Sequence, residues 1–282
     1  MIKTPKVYNW VGGDSSTLYW DEPSNWAEGE YPNQKEAIAV FANSAQRDTT
    51  ILLRKDIHLA QMWFSEKHSL TFSSESDGNT LDGLSPKILL ETSNQFSTLF
   101  VDKDNLADHR FGAWILHSCC FLVAHRDRNG LPDADLNRPA DETINTIHFE
   151  GGIGNYKDPE RASLQVFGYQ KAQLNGINRF KGPVVIANGG EVKVMVNNAI
   201  PDGTPITLNN GGAIFAEEGV YIKASELIVD GKIQEPGIYH GKNFDVEAIE
   251  KLKKTKLFRS KKVNTMAISN IKGNGAIFVD VQ

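Results

Sequence analysis

Two segments of the chain, PVVIANGGEVKV (183–194) and PITLNNGGAIFA (205–216), superimpose at an offset of 22 residues. Pro183 falls on Pro205, Val184 on Ile206, Ile186 on Leu208, Asn188 on Asn210, Gly189 and Gly190 on Gly211 and Gly212, and Val192 on Ile214. Read as one strand, each segment carries glycines where they weaken it most. Read as two short strands joined at a corner, each uses Asn-Gly-Gly to supply the positive φ values that the corner needs. A period near 22 is too short for an independent folding unit and fits one coil of a solenoid. Asparagines at equivalent corners are then placed to bond one another from coil to coil. The "GAIF" of 212–215 recurs at 275–278 and reads as a third copy of the ending. The competing fold is a β-sandwich with Asn-Gly hairpins, but turn preference alone does not predict the matched proline upstream.

The remaining chain reads as short strands between turn signals. Candidates are TTILLR, IHLAQMWF, SLTFSS, KILLET, AWILHSCCFLVA, TIHFEG, SLQVFG and ELIVDG, with the register of 100–160 left open. Helical periodicity is confined to 243–257, where Phe244, Ala248, Ile249 and Leu252 would share one face of a short inserted helix. The fold expected is all-β: a right-handed parallel β-helix with an N-terminal module over 1–45 and coils over 46–282. A polar loop at about 125–142 and the helix at about 243–257 interrupt the coils.

Composition bounds the function. Of 282 residues, 40% are hydrophobic and 23% charged, enough to bury a core. The formal net charge of −5 lacks the cationic excess that nucleic acid demands. No apolar run is long enough for a transmembrane helix, and MIKTPKVYNW has no apolar leader stretch, so the chain reads as cytoplasmic or as a mature exported form. The two cysteines, Cys119 and Cys120, are adjacent, which leaves two thiols or a vicinal disulfide and excludes a disulfide framework.

The opening, WVGGDSSTLYWDEPSNWAEGEYPNQKEAIAVF (10–41), resembles the first module of proteins carrying the autotransporter-associated β-strand repeat. The residues that carry the likeness are Trp10, Gly12, Trp20, Asn25, Trp26, Pro32 and Phe41. Leu174, Gly176, Asn178, Phe180 and Gly182, followed by the Asn-Gly-Gly corner, resemble the repeat itself. The stretches 226–239 and 271–281 resemble its closing coils. The resemblance implies a right-handed parallel β-helix, an extracellular or cell-surface location, and structural or adhesive roles. No series of alternating membrane strands precedes Gln282, so the likeness is to the repeat region without the autotransporter barrel, and export by that route is not expected.

Candidate sites each have a plainer alternative. Trp10, Trp20 and Trp26, with Tyr8, Tyr19 and Tyr31, form either a platform on which sugars stack or a cap over the open end of the coils. Asp127, Asn129, Asp133, Asp135 and Asp141 offer oxygens to a calcium ion, though without a complete EF-hand spacing; otherwise they belong to a solvated loop. Asp102, Asp104 and Asp108 form a weaker version. His125, Arg126, Arg128, Asp127, Asp133 and Asp135 would be the residues of a polysaccharide lyase or glycoside hydrolase, but nothing in one loop fixes their geometry. The seven scattered histidines lack zinc-site spacing. Lys251, Lys253, Lys254 and Arg259, within the basic stretch 251–262, would meet an anionic glycan or an acidic neighbour.

The function expected is that of an extracellular structural protein without catalysis, needing no cofactor beyond a possible Ca²⁺. It would assemble with copies of itself into a filament, sheath or layer, because an uncapped strand edge at the C-terminal end invites head-to-tail stacking. The alternatives are a polysaccharide-binding or adhesin module, and a polysaccharide-active enzyme.

Overall fold

The structure, a computed structural model, describes residues 5–75, 85–93, 96–118, 120–126, 145–155, 163–242, 244, 245, 247 and 264–279. The described chain is all-β, with long parallel sheets. A single 3-10 turn spans Pro23–Asn25. Among the described residues, no helix is long and apolar enough to cross a membrane.

Two sheets run the length of the molecule. The first holds, in spatial order, Val7–Trp10, Ile38–Ala42, Gln61–Ser65, Phe96–Asp102, Cys120–Arg126, Leu164–Phe167, Val184–Ala187, Ile206–Asn209 and Leu227–Val229, then Lys232–Ile233 as an antiparallel edge. The second holds Thr17–Tyr19, Thr49–Leu53, Leu70–Ser74, His109–Phe111, Thr146–Phe149, Lys171–Leu174, Glu191–Val194, Ala213–Ala216 and Ile271–Gly273. A third, shorter sheet stacks Ile57–Leu59, Ile88–Leu90, Ile115–His117 and Ile153–Asn155. From Ile38 to Asn155 the chain visits first, second and third sheet in turn, and from Leu164 to Ala216 it alternates between the first and second, each circuit lying on the one before it. Val184 pairs with Ile206 and Val192 with Ile214, the register that the 22-residue offset requires.

Alternate residues of most strands face one long core that reaches from Tyr8 to Val279, and Ile238, Phe244, Ala276 and Phe278 form a smaller cluster. One inward column of the second sheet reads Phe72, Phe111, Phe149, Leu174, Val194 and Ala216, so its side chains shrink along the stack. Where the third sheet widens the interior, phenyl rings fill it. Phe72 lies on Phe111 at 4.9 Å and Phe111 on Phe149 at 5.7 Å, while Phe41 lies on Phe64 at 5.3 Å.

The corners show why Asn-Gly-Gly recurs. Asn188 and Gly189 have φ of 52° and 76°, Asn210 and Gly211 of 47° and 78°. The second glycine is needed for another reason: a Cβ on Gly212 would sit 2.1 Å from the Ile186 carbonyl oxygen, and one on Gly190 2.5 Å from that of Val166. Asp230 and Gly231 repeat the positive φ values, but Lys232 stands where the second glycine would be. There the chain doubles back as an antiparallel hairpin.

Both ends are built differently from the middle. At the N-terminal end the outer edge of Val7–Trp10 is covered by 25–28. Val11 N–H donates to Asn25 O, Ala27 N–H to Asn9 O, and Asn9 N–H to the Glu28 carboxylate, each at 2.9 Å. Asn25 Nδ2 also donates to Tyr19 O at 2.8 Å, closing part of the second sheet's edge. At the C-terminal end a fourth sheet orders Tyr221–Ala224, Ala276–Val279, Gly237–His240 and Asn264–Ala267.

Several expectations are corrected. "GAIF" at 275–278 is not a third copy of 212–215 in register: Ile271–Gly273 takes the place beside Ile214–Ala216, and Ala276–Val279 pairs with Tyr221–Ala224. The stretch IHLAQMWF is two strands in different sheets, broken at Ala60, and AWILHSCCFLVA likewise splits into Ile115–His117 and Cys120–Arg126. The helix expected at 243–257 lies mostly outside the described residues, though Glu247 is in helical conformation. Of 243–257 only 244, 245 and 247 are described, and Phe244 packs with Ile238, Ala276 and Phe278.

Candidate functional site

Each circuit enters the second sheet at one corner of the molecule, and these entry points line up along the stack. Asp48 precedes the strand at Thr49, Ser69 that at Leu70, and Asp108 that at His109; Asn145 and Thr146, then Lys171, open the next two. With Lys67, Leu106 and Ala107 they line a groove of about 500 Å³ that crosses five successive circuits. At about 4.8 Å per strand, the four steps extend it roughly 19 Å along the stack.

The floor of the groove is fixed by buried polar groups. Gln170, wholly buried, donates through Nε2 to Asn145 O at 2.9 Å and to Lys171 O at 3.0 Å. Asn145 Nδ2 donates to Asn105 O at 2.7 Å. Asn105 in turn accepts from Glu66 N–H at 2.9 Å and contacts His109 Nε2 at 2.8 Å. His109 Nδ1 accepts Leu70 N–H, so the ring carries its proton on Nε2 and is satisfied on both sides. Burial pushes His109 down to about 3, and Asp108 opposes this only weakly.

The carboxylates of the groove are committed to the chain. Asp48 Oδ1 accepts Ser69 N–H at 2.9 Å. Asp108 Oδ1 accepts Thr146 N–H at 2.6 Å, and its Oδ2 lies 3.4 Å from His148 Nε2. Burial holds His148 below the usual histidine range, although Asp108 acts to raise it. Among the described residues its buried Nδ1 has no hydrogen-bond partner. Lys67 and Lys171, by contrast, make no ion pair among the described residues; Lys67 is exposed and Lys171 half-buried.

A second, smaller cleft of about 360 Å³ lies at the N-terminal end, lined by Tyr8, Pro23, Glu30, Tyr31, Asn33 and Gln34. Cations stand over the tyrosines there: Arg54 at 4.3 Å from the Tyr19 ring, Lys55 at 4.8 Å from Tyr31 and Lys6 at 4.8 Å from Tyr8. Asp21 ties Arg54 at 2.8 Å and Lys55 at 3.4 Å.

The residues expected from sequence fall elsewhere. Trp10, Trp20 and Trp26 are 3%, 0% and 2% exposed. Trp26 meets Trp10 and Trp20 edge to face at 5.0 Å each, and Trp20 and Trp26 bond Pro32 O and Trp20 O. Their faces are spent inside the core, which corrects the sugar-platform alternative for these three rings. Asp127, Asn129, Asp133, Asp135 and Asp141 lie outside the described residues, as do Arg128, Lys251, Lys253, Lys254 and Arg259. His125 is buried at 3%. Asp102, Asp104 and Asp108 do not converge: Asp102 accepts Asp104 N–H, whereas Asp108 turns to Thr146 and His148. Among the described residues no three metal-ligating side chains cluster.

Sequence reasoning missed Lys67, Ser69, Asn145, Thr146 and Lys171. The signal that would have found them is their common position just ahead of second-sheet strands, which needs the register of 100–160. Compared with protein-family models, curated proteins and solved structures, the chain matches none.

Proposed function

We propose that the chain is a right-handed parallel β-helix of the autotransporter-associated repeat kind, and that it serves outside the cell or on its surface as a rigid structural element that holds polysaccharide along one corner. The observation that carries this is the groove from Asp48 to Lys171. It is long in one direction, rigid beneath, and lined by hydroxyls, an amide, two carboxylates, two ammonium groups and the exposed Leu106. An extended, hydrated polymer suits such a lining better than a compact ligand, which favours an enclosed apolar pocket. The polar residues that the repeat pattern singles out support a scaffold role. Asn178 accepts Ile153 N–H at 2.6 Å and donates to Ala199 O, joining one circuit to the next.

The test is a binding screen of the purified chain against immobilised extracellular polysaccharides, with product analysis of any glycan that binds. Binding without breakdown, lost on Thr146→Leu or Ser69→Leu in a folded protein, supports the reading. Breakdown of the glycan moves it to an enzyme, and no binding to any polysaccharide ends it.

Self-assembly is the second reading, favoured by the strand Asn264–Ala267. Among the described residues it is one of the two edge strands of the fourth sheet, and it exposes Asn264, Met266 and Ala267. Strand-to-strand stacking at both ends is disfavoured, because 25–28 already cover the N-terminal edge. Association through one open end gives closed pairs rather than filaments. Light scattering over a range of concentrations, with negative-stain microscopy, separates the outcomes: pairs fit this geometry, filaments contradict the closed end, and monomers throughout end the second reading.

A further inference from the structure

We infer, on the strength of the polysaccharide-binding reading, that the polymer held in the corner groove is acidic, bearing carboxylates as a uronic-acid glycan does, and that Lys67 and Lys171 are its anchors. Asp108 has both oxygens engaged, by Thr146 N–H and the His148 ring, and Asp48 has one oxygen engaged by Ser69 N–H. Asn145 spends its amide donor on Asn105 O. The two lysines are left with ammonium groups that pair with no described carboxylate; Asp48 and Asp108 keep their charge, so the groove is formally balanced, and its unspent charged donors are the two ammonium groups. A charge-assisted bond from an ammonium to a carboxylate is about twice as strong as a neutral one. Three strand steps separate the Leu70 strand from that at Lys171, so the lysines stand at least roughly 14 Å apart along the stack. One small anion cannot bridge that distance; a chain with repeated charges can.

Among the described residues, other cations of the second sheet are paired. Arg110 pairs with Glu150 at 2.8 Å and Lys272 with Glu191 at 2.6 Å. Lys171 and Glu191 sit in adjacent strands as register partners, yet Glu191 is taken by Lys272.

The experiment titrates the full chain with oligogalacturonate and with the same oligosaccharide after carboxyl reduction, by calorimetry at low and at physiological salt. The proteins are the wild type, Lys67→Glu, Lys171→Glu, the double variant, and Lys232→Glu as a surface control on the terminal hairpin. Thermal melts check folding, and Lys67→Gln with Lys171→Gln replace any variant that fails to fold. The expected result is binding of the acidic form only, weakened by rising salt. Each groove variant should lose roughly tenfold or more in affinity, and the control should lose none. Equal binding of acidic and reduced forms overturns the acidic-ligand inference and leaves the polysaccharide reading standing. Acidic binding untouched by both lysine variants places the ligand elsewhere and overturns the anchors. Binding of neither form overturns the inference, and if the polysaccharide screen is also blank the underlying reading fails with it.

Discussion

The side-chain amide of Asn210 donates to that of Asn188 across 3.3 Å, one circuit away. Both residues hold positive φ, and the Asn210 N–H goes on to the Asp230 carboxylate at 2.9 Å. A column of corner residues thus binds three consecutive circuits while supplying the conformation that turns each of them. Local conformation and long-range pairing are set by the same side chains, which is the consistency that marks a well-specified fold.

Two glycine substitutions separate the reasons for that corner. Gly231→Ala meets only the φ of +75°, since nothing lies within 4 Å of its Cβ, and should cost about 1–2 kcal/mol. Gly212→Ala drives its Cβ to 2.1 Å from a backbone oxygen and should cost on the order of 3 kcal/mol or more. Chemical denaturation of both variants tests the order; a loss for Gly212→Ala no larger than that for Gly231→Ala would mean that the backbone shifts to relieve the clash.

Acid should destabilise the fold well before carboxylates titrate. His109 is held neutral by burial down to about 3, whereas its unfolded value is near 6.5. The unfolded state therefore binds more protons below pH 6.5. Stability is fully present above that value and falls as pH drops from 6.5 toward 3, by about 1.4 kcal/mol per unit, or about 2 kcal/mol at pH 5. His148, also depressed, adds to the slope with the same sign. Urea unfolding at pH 7, 6 and 5 should show a steeper decline for wild type than for His109→Gln, although the variant begins less stable.

How far the sequence revealed this depended on whether a feature was local. The Asn-Gly-Gly corners were legible because positive φ restricts which residues can stand there. The corner at Ala60 was not, since it needs neither glycine nor positive φ, and an apolar run passes through it unmarked. The inward column of Ile51, Phe72, Phe111, Phe149 and Leu174 recurs at unequal intervals, so no fixed period exposes it. The groove depends on that same register, which is why its lysines escaped notice. Tryptophans 10, 20 and 26 showed a different limit: aromatic residues serve cores and sugar platforms alike, and only packing distinguishes them.

Glu66 is wholly buried and accepts Ser44 N–H at 3.0 Å, the Ser44 hydroxyl, and Ala45 N–H at 3.4 Å. It anchors the turn between the first and second sheets one circuit away. Glu66→Gln keeps an acceptor oxygen but places an amide donor among donors. Glu66→Ala leaves the Ser44 and Ala45 N–H groups without their side-chain acceptor. The expected losses are about 1–3 kcal/mol for alanine and less for glutamine. Hydrogen exchange at Ser44 and Ala45 should quicken in the alanine variant more than at distant Val192, and uniform quickening would show that the contact acts globally.

The N-terminal end should behave as a closure with two separable parts. Trp26 fills the core and bonds Trp20 O, so Trp26→Ala should cost about 3–5 kcal/mol, as large aromatic truncations do. Glu28 is exposed and contributes little packing, but its carboxylate takes both the Asn9 N–H and the Asn9 amide. Glu28→Ala should therefore cost about 1 kcal/mol or less while uncovering part of a strand edge that another chain can pair with. The expected outcome is a near-normal melting temperature together with concentration-dependent association by light scattering, which Asn9→Pro, removing that N–H, should suppress. An unchanged monomer in Glu28→Ala would show that the Asn25 and Ala27 backbone bonds alone keep the edge closed.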